Sequence, residues 1–244
     1  MPSSGTDPKP TAASSAPSEA DVAPTGYDLI VQQLIPGYAS LARLAVSLLS
    51  ASPLAAGEGA SVLVAGCGTG AELLEACAQR PDWELTAVDP SAAMLEASRE
   101  RLDRTGGSRG IRWQQSTVEE LALEASFDGA LSVLVLQSLA DDGSKLVFLT
   151  SLARALKPGA QLVLVDLMQP ERSPLQGQVE QAWQLFQRAS GLQGATEALD
   201  ALSPRLHPIG LSRLSALVEA AGFSDPAPIF QALDFQGFLL QRRA

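Results

Sequence analysis

The chain has 244 residues, 46% of them apolar, which is enough to bury a core and fits one domain. Its net charge of −10 argues against direct nucleic-acid binding, because phosphate contacts need clustered Lys and Arg. With Cys67 and Cys77 as its only cysteines, no apolar run of the roughly 18 residues that span a bilayer and no apolar core of a secretion signal, it reads as a cytoplasmic protein without a disulfide framework, metal site or membrane partner.

Residues 1–24 are mostly Pro, Ser, Ala and Thr, a composition that predicts a disordered tail. The domain runs from 25 to 244. Within 25–56, Tyr27, Leu29, Ile30, Leu34 and Ile35 form a helical stripe that Pro36-Gly37 closes, and Tyr38–Ser50 continues as a second apolar helix. Strand and helix signals alternate over 60–168. Strands fit 61–65, 84–88, 110–114, 128–134 and 160–166, and helices fit 71–79, 91–103, 117–122 and 144–156. Lys157-Pro158-Gly159 reads as the turn into the last of these strands. This alternation predicts an α/β fold, a parallel sheet with helices on both faces. Residues 169–210 break the pattern with Gln, Ser and Pro and read as an insertion or lid. In 211–244, Leu211–Ala221 is a helix stopped by Gly222, and 228–235 and 237–241 suit closing antiparallel strands.

The chemistry concentrates at the end of the first strand. Val62-Leu-Val-Ala-Gly-Cys-Gly-Thr-Gly70 passes from an apolar strand into a glycine turn and then a helix. Gly66, Gly68 and Gly70 let backbone approach a ligand closely. The next strand, Leu85–Val88, ends in Asp89, where an acid commonly holds the hydroxyls of a nucleoside ribose. An acid at a helix start is the plainer account of Asp89. Together the motifs point to a nucleoside cofactor. Gly66-Cys-Gly-Thr-Gly-Ala71 also satisfies the dinucleotide pattern, so NAD is an alternative on the turn alone.

The wider series resembles the class I S-adenosylmethionine (SAM)-dependent methyltransferases. Its pieces are the glycine turn, Ala87-Val-Asp-Pro-Ser-Ala-Ala-Met94, Phe127-Asp-Gly-Ala-Leu131 and Leu156-Lys-Pro-Gly-Ala160. Several motifs in order favour SAM over NAD. The resemblance implies a Rossmann-like fold with a mainly parallel seven-stranded sheet. Tyr27–Tyr38, Phe186–Gly191, Ala221–Phe223 and Phe230–Phe235 also resemble segments of the carboxy-SAM synthases, typically dimers, which make a cofactor of tRNA wobble-uridine modification. That resemblance implies that Tyr38 contacts the cofactor and that Gly66, Cys67 and Gly68 wrap its methionine part, with Gly70 completing the turn. It places Asp89 on the ribose with Pro90 beside it, Thr117 and Val118 at the adenine edge, and Val133 near the cofactor. It also implies a homodimer.

The departures are specific. Val64 and Thr117 stand where the family usually has acids, and 192–204 holds no Arg or Lys where the synthases carry an arginine for the extra carboxylate. Arg205 is the nearest substitute. The resulting expectation is a SAM-dependent methyltransferase acting on a small molecule, with a carboxy-SAM synthase relative and a non-catalytic SAM-binding protein as alternatives. No acid/base set is evident. His207, the sole histidine, is either a general base or polar surface. Cys67 reads as a packing residue, and Trp183 with Phe186 as one helix face, either a substrate wall or lid packing.

Overall fold

In the computed structural model, described here for residues 24, 26–107, 110–192 and 206–244, apolar runs buried on both faces form the centre of one sheet. β1 (Ser61–Ala65) and β2 (Glu84–Val88) are such runs, the pattern of a strand covered by helices on either side. With β3 (Arg112–Gln114), β4 (Phe127–Val133), β5 (Leu156–Leu167), β6 (Ala227–Ala232) and β7 (Phe235–Gln241), they make a seven-stranded sheet ordered β3-β2-β1-β4-β5-β7-β6. The first five strands are parallel, and β7 runs antiparallel to both β5 and β6. Strand order reverses between β1 and β4, so a crevice opens at their carboxyl ends.

Helices cover both faces. Val62, Val64, Val163 and Val165 pack under α2 (Tyr38–Ser50), α3 (Ala71–Gln79) and α4 (Ala92–Asp103). Leu63, Ala65, Leu162 and Leu164 pack under α5 (Ser144–Ala155) and the helix Leu211–Ala220, numbered α7. The remaining two helices, α1 (Tyr27–Leu34) and α6 (Gln176–Ala189), cap the crevice end of the sheet. There Val31, Leu34 and Ile35 meet Leu134, Leu167 and Phe235. α1 and α2 are bent by 94° to one another across Ile35–Gly37, where Gly37 has φ +83°. No single helix among the described residues is long and apolar enough to cross a membrane.

Several expected elements change. Leu29 leaves the apolar stripe of α1 and is 60% exposed, because residues 27, 31 and 34 share the inward face and 29 lies opposite. The helix expected over 117–122 is a single 3₁₀ turn, Glu119–Leu121, ended by Ala122 at φ +46°. β3 begins at Arg112, after Gly110 at φ +90°. Lys157-Pro158-Gly159 lies within β5, where Leu156 pairs with Phe127 and a register shift absorbs the irregularity. The expected strand 228–235 ends at Ala232, since Leu233 turns at φ +57° and hands Phe235 to β7. The expected tail, apart from Pro24, and the lid residues 193–205 with Arg205 fall outside the described residues.

Candidate cofactor site

After β1 the chain turns through Gly66-Cys67-Gly68-Thr69-Gly70 into α3, with φ of +69°, +49° and +84° at the three glycines. The backbone of Gly66 and of Cys67 donates to the Val88 carbonyl at 2.8 and 3.0 Å, which pins the loop to the end of β2. Each glycine serves a different need. A Cβ on Gly66 would lie 2.3 Å from Val135 Cγ2, and one on Gly70 would lie 2.2 Å from Ser98 Oγ. Gly68 has nothing within 4 Å of that position, so its bare face is where a ligand can approach.

Asp89 sits directly after β2, buried, and its carboxylate joins the loop to α4. Oδ2 accepts from the Gly68 N–H at 2.9 Å and Oδ1 from the Ser91 N–H at 2.9 Å. Burial raises its pKa, and the two backbone donors work against that rise. Each oxygen keeps a further lone pair for a hydroxyl. Ser91 caps α4 by accepting from the Met94 N–H at 3.3 Å, so the helix start that carries Asp89 is fixed.

Helix α1 is latched over the loop. Thr69 Oγ1 donates to Asp28 Oδ1 at 2.7 Å, and Arg101 donates to Asp28 Oδ2 at 2.9 Å and to the Thr69 carbonyl at 3.4 Å. A cavity of about 250 Å³ lies against this latch, lined among others by Asp28, Thr69, Arg101 and Arg104. Beneath it, burial raises the pKa of the Tyr27 and Tyr38 hydroxyls, with the Glu72 carboxylate the next cause for both. Glu72 is itself buried, and that burial pushes its carboxyl up to about 7.

The expected site residues divide by location. Tyr38 is half-buried at the start of α2, and Pro90 is exposed beside Asp89. Thr117 is half-buried, its N–H donating to Glu120 Oε2 at 2.9 Å. Val118 turns into the core under α5, which leaves its backbone for any ligand contact. Val133 ends β4, half-buried, at the side of the crevice. Cys67 is buried, and burial raises the pKa of its thiol, so it packs rather than attacks. His207 lies elsewhere. Its N–H donates to the Gln137 carbonyl at 2.7 Å, and it lines a separate cavity of about 260 Å³ with Asp141, Gln169 and Arg213. Trp183 donates from Nε1 to the Leu34 carbonyl at 2.7 Å and meets Phe235 edge-on at 5.9 Å, so it packs α6 onto the end of α1. Among the described residues no group of three or more His, Cys, Asp or Glu could hold a metal.

Sequence reasoning missed Glu72 and the Asp28–Thr69–Arg101 latch. Glu72 carried a signal, since it shares the inward face of α3 with Ala76. The latch joins residues far apart in sequence and carried none.

The seven-stranded sheet with helices on both faces is a Rossmann-like α/β fold. Residues 62–159 match the family described as a methyltransferase domain. An O-methyltransferase of Pyrenophora dematioidea is 28% identical over 53% of this chain and 47% of its own length. A ubiquinone/menaquinone biosynthesis C-methyltransferase of Coxiella burnetii is 30% identical over 58% of this chain and 57% of its own. The chain thus spans about half the length of these curated relatives. Among solved structures, the 1,6-didemethyltoxoflavin-N1-methyltransferase of Burkholderia thailandensis, with 1,6-didemethyltoxoflavin and S-adenosylhomocysteine bound, superposes with a TM-score of 0.60 at 20% identity. That superposition covers 90% of this chain and 85% of that one and speaks to the fold.

Proposed function

We propose that the chain is a SAM-dependent methyltransferase acting on an oxygen, nitrogen or carbon of a small molecule. The observation that carries this is the Asp89 carboxylate, held at the end of β2 and bonded to the Gly68 N–H beside the open face of the glycine loop. The site's chemistry fits SAM on three counts. Asp89 can accept from ribose hydroxyls, Gly68 admits the nucleoside without a Cβ in the way, and Glu72 adds a second buried carboxyl at the start of α3. When bound, SAM supplies a methyl carbon made electrophilic by its sulfonium.

The protein's own residues then position and exclude water. The Val88 carbonyl and Asp89 hold the loop rigid, so alignment costs little entropy during reaction. Helix α1, latched through Asp28, and α6, tied through Trp183, cover the crevice and keep solvent from the transfer. The O- and C-methyltransferases among the relatives support a small-molecule acceptor.

Mass spectrometry of nucleoside released from the purified protein tests this reading. SAM or S-adenosylhomocysteine supports it. A species heavier by one carboxyl group assigns the carboxy-SAM synthase alternative, and a protein that neither carries nor takes up SAM assigns the non-catalytic one. Asp89→Ala is expected to weaken SAM binding by about 1–3 kcal/mol, the scale of a lost charged acceptor. Unchanged affinity in calorimetry removes Asp89 from the ribose.

A further inference from the structure

We propose that Glu72 is the counter-ion for the ammonium group on the methionine portion of the cofactor, an assignment that rests on SAM being the ligand. Glu72 is the second residue of α3, directly beyond the glycine loop, and is 6% exposed. Its carboxylate accepts from its own backbone N–H, and among the described residues it forms no ion pair. The groups that act on it from the surrounding elements are Asp28 of α1 and Arg101 of α4, and it acts in turn on Tyr27, Tyr38 and Cys67. Arg101 is the one cation of this set, and its guanidinium is committed to Asp28 and the Thr69 carbonyl. The neighbourhood is therefore acidic and phenolic with its cation already spent.

A carboxyl at this position is costly, because burial without a partner disfavours its charge. The neighbouring inward residues of α3, Leu73 and Ala76, are apolar, and an apolar side chain at 72 would pack there without that cost. Nor does β1 supply charge to this end of the crevice, since Val62 to Ala65 are all apolar. The cost is recovered when a cation enters. Geometry selects which cation. Asp89 Oδ2 accepts from the Gly68 N–H in the middle of the loop, and Glu72 follows the loop directly, two residues past Gly70 in α3. With Asp89 on the ribose, Glu72 lies toward the amino-acid end of the cofactor.

Calorimetry with three ligands tests this. SAM and S-adenosylhomocysteine carry the ammonium, while 5′-methylthioadenosine has the same nucleoside without it. Glu72→Gln is expected to weaken the first two about 10- to 100-fold and to leave 5′-methylthioadenosine within about twofold. The variant is also expected to melt no lower than the parent at pH 8, since it loses a buried charge. Equal weakening of all three ligands, or of none, overturns the assignment, as does a lower melting temperature with unselective loss. If the parent protein binds none of the three, the methyltransferase reading itself fails and this one with it. A second readout is the proton. The free carboxyl is pushed up to about 7, so binding near pH 6.5 should release a proton from the parent and not from Glu72→Gln. Titration in buffers of different ionisation enthalpy reads this directly, and identical release from both proteins counts against Glu72.

Discussion

Gly66→Ala is expected to lose detectable SAM binding and about 2–5 kcal/mol of stability. Two costs add. Residue 66 holds φ +69°, a conformation that costs an L side chain roughly 1–2 kcal/mol. The new methyl would also stand 2.3 Å from Val135 Cγ2, with Val135 Cβ and Cγ1 at 3.5 and 3.6 Å. A β-branched neighbour has few rotamers with which to give way. The loop must then move, and its movement breaks the paired bonds to the Val88 carbonyl that set its distance from Asp89. Gly68→Ala is the control. It carries backbone strain at φ +49° but meets nothing within 4 Å, so it should lose binding while keeping most of its stability. Urea denaturation and calorimetry on both variants separate the two effects. A Gly66→Ala protein as stable as Gly68→Ala would show that Val135 yields and that packing does not set the loop.

The central sheet was legible because its strands are short apolar runs closed by turn residues. β1, β2 and α3 fall at the expected positions, since Val62–Ala65 and Leu85–Val88 have no other use than burial on both faces. Asp89 and the glycine turn were legible for the same reason, because strand ends and helix starts fix where a ligand binds in this architecture. What failed was local geometry that side chains decide. The apolar pattern around 117–122 reads as a helix, and Glu120 takes the Thr117 N–H as at a helix start, yet Ala122 turns left-handed and ends it after one 3₁₀ turn. Leu29 shows the opposite error, an apolar residue counted into a stripe that its position on the helix turns outward. Buried charges were legible only in part, since Glu72 carried its signal on the inward face of α3 while the Asp28–Thr69–Arg101 latch joins residues far apart in sequence. Glu72 and Lys145 each sit in an apolar helical stripe, Glu72 with Leu73 and Ala76, Lys145 with Phe148, Leu149 and Leu152. The structure shows Glu72 almost wholly and Lys145 wholly buried.

Lys145→Met is expected to cost about 3–5 kcal/mol at pH 8 and about 1–3 kcal/mol near pH 5. Lys145 is 0% exposed, and its ammonium donates to the Leu136 carbonyl. Asp166, at the end of β5, is 2% exposed. Its Oδ1 accepts from the Gln137 N–H at 2.9 Å and its Oδ2 has no hydrogen-bond partner among the described residues. Gln137 in turn accepts from the Leu167 N–H at 2.8 Å, so these buried groups tie the turn after β4 to the end of β5. Burial pushes the Asp166 carboxyl up from 3.8 to about 7 and the Lys145 ammonium down, while their mutual attraction opposes both shifts. An acid with a raised pKa keeps its proton in the folded state after the unfolded chain has lost it. Its contribution to stability therefore falls as pH rises from about 4 through about 7. Removing Lys145 takes away the attraction, raises Asp166 further and deepens that fall at pH 8. Near pH 5 Asp166 is protonated in the folded state, and what remains is the Leu136 carbonyl left without its donor. Lys145→Met combined with Asp166→Asn should regain most of the loss at pH 8, because no buried charge is then left unpaired. Urea denaturation of the three proteins at both pH values measures this. A loss in Lys145→Met that is the same at pH 5 and pH 8 would mean that Lys145 serves the Leu136 carbonyl alone and that Asp166 does not depend on it.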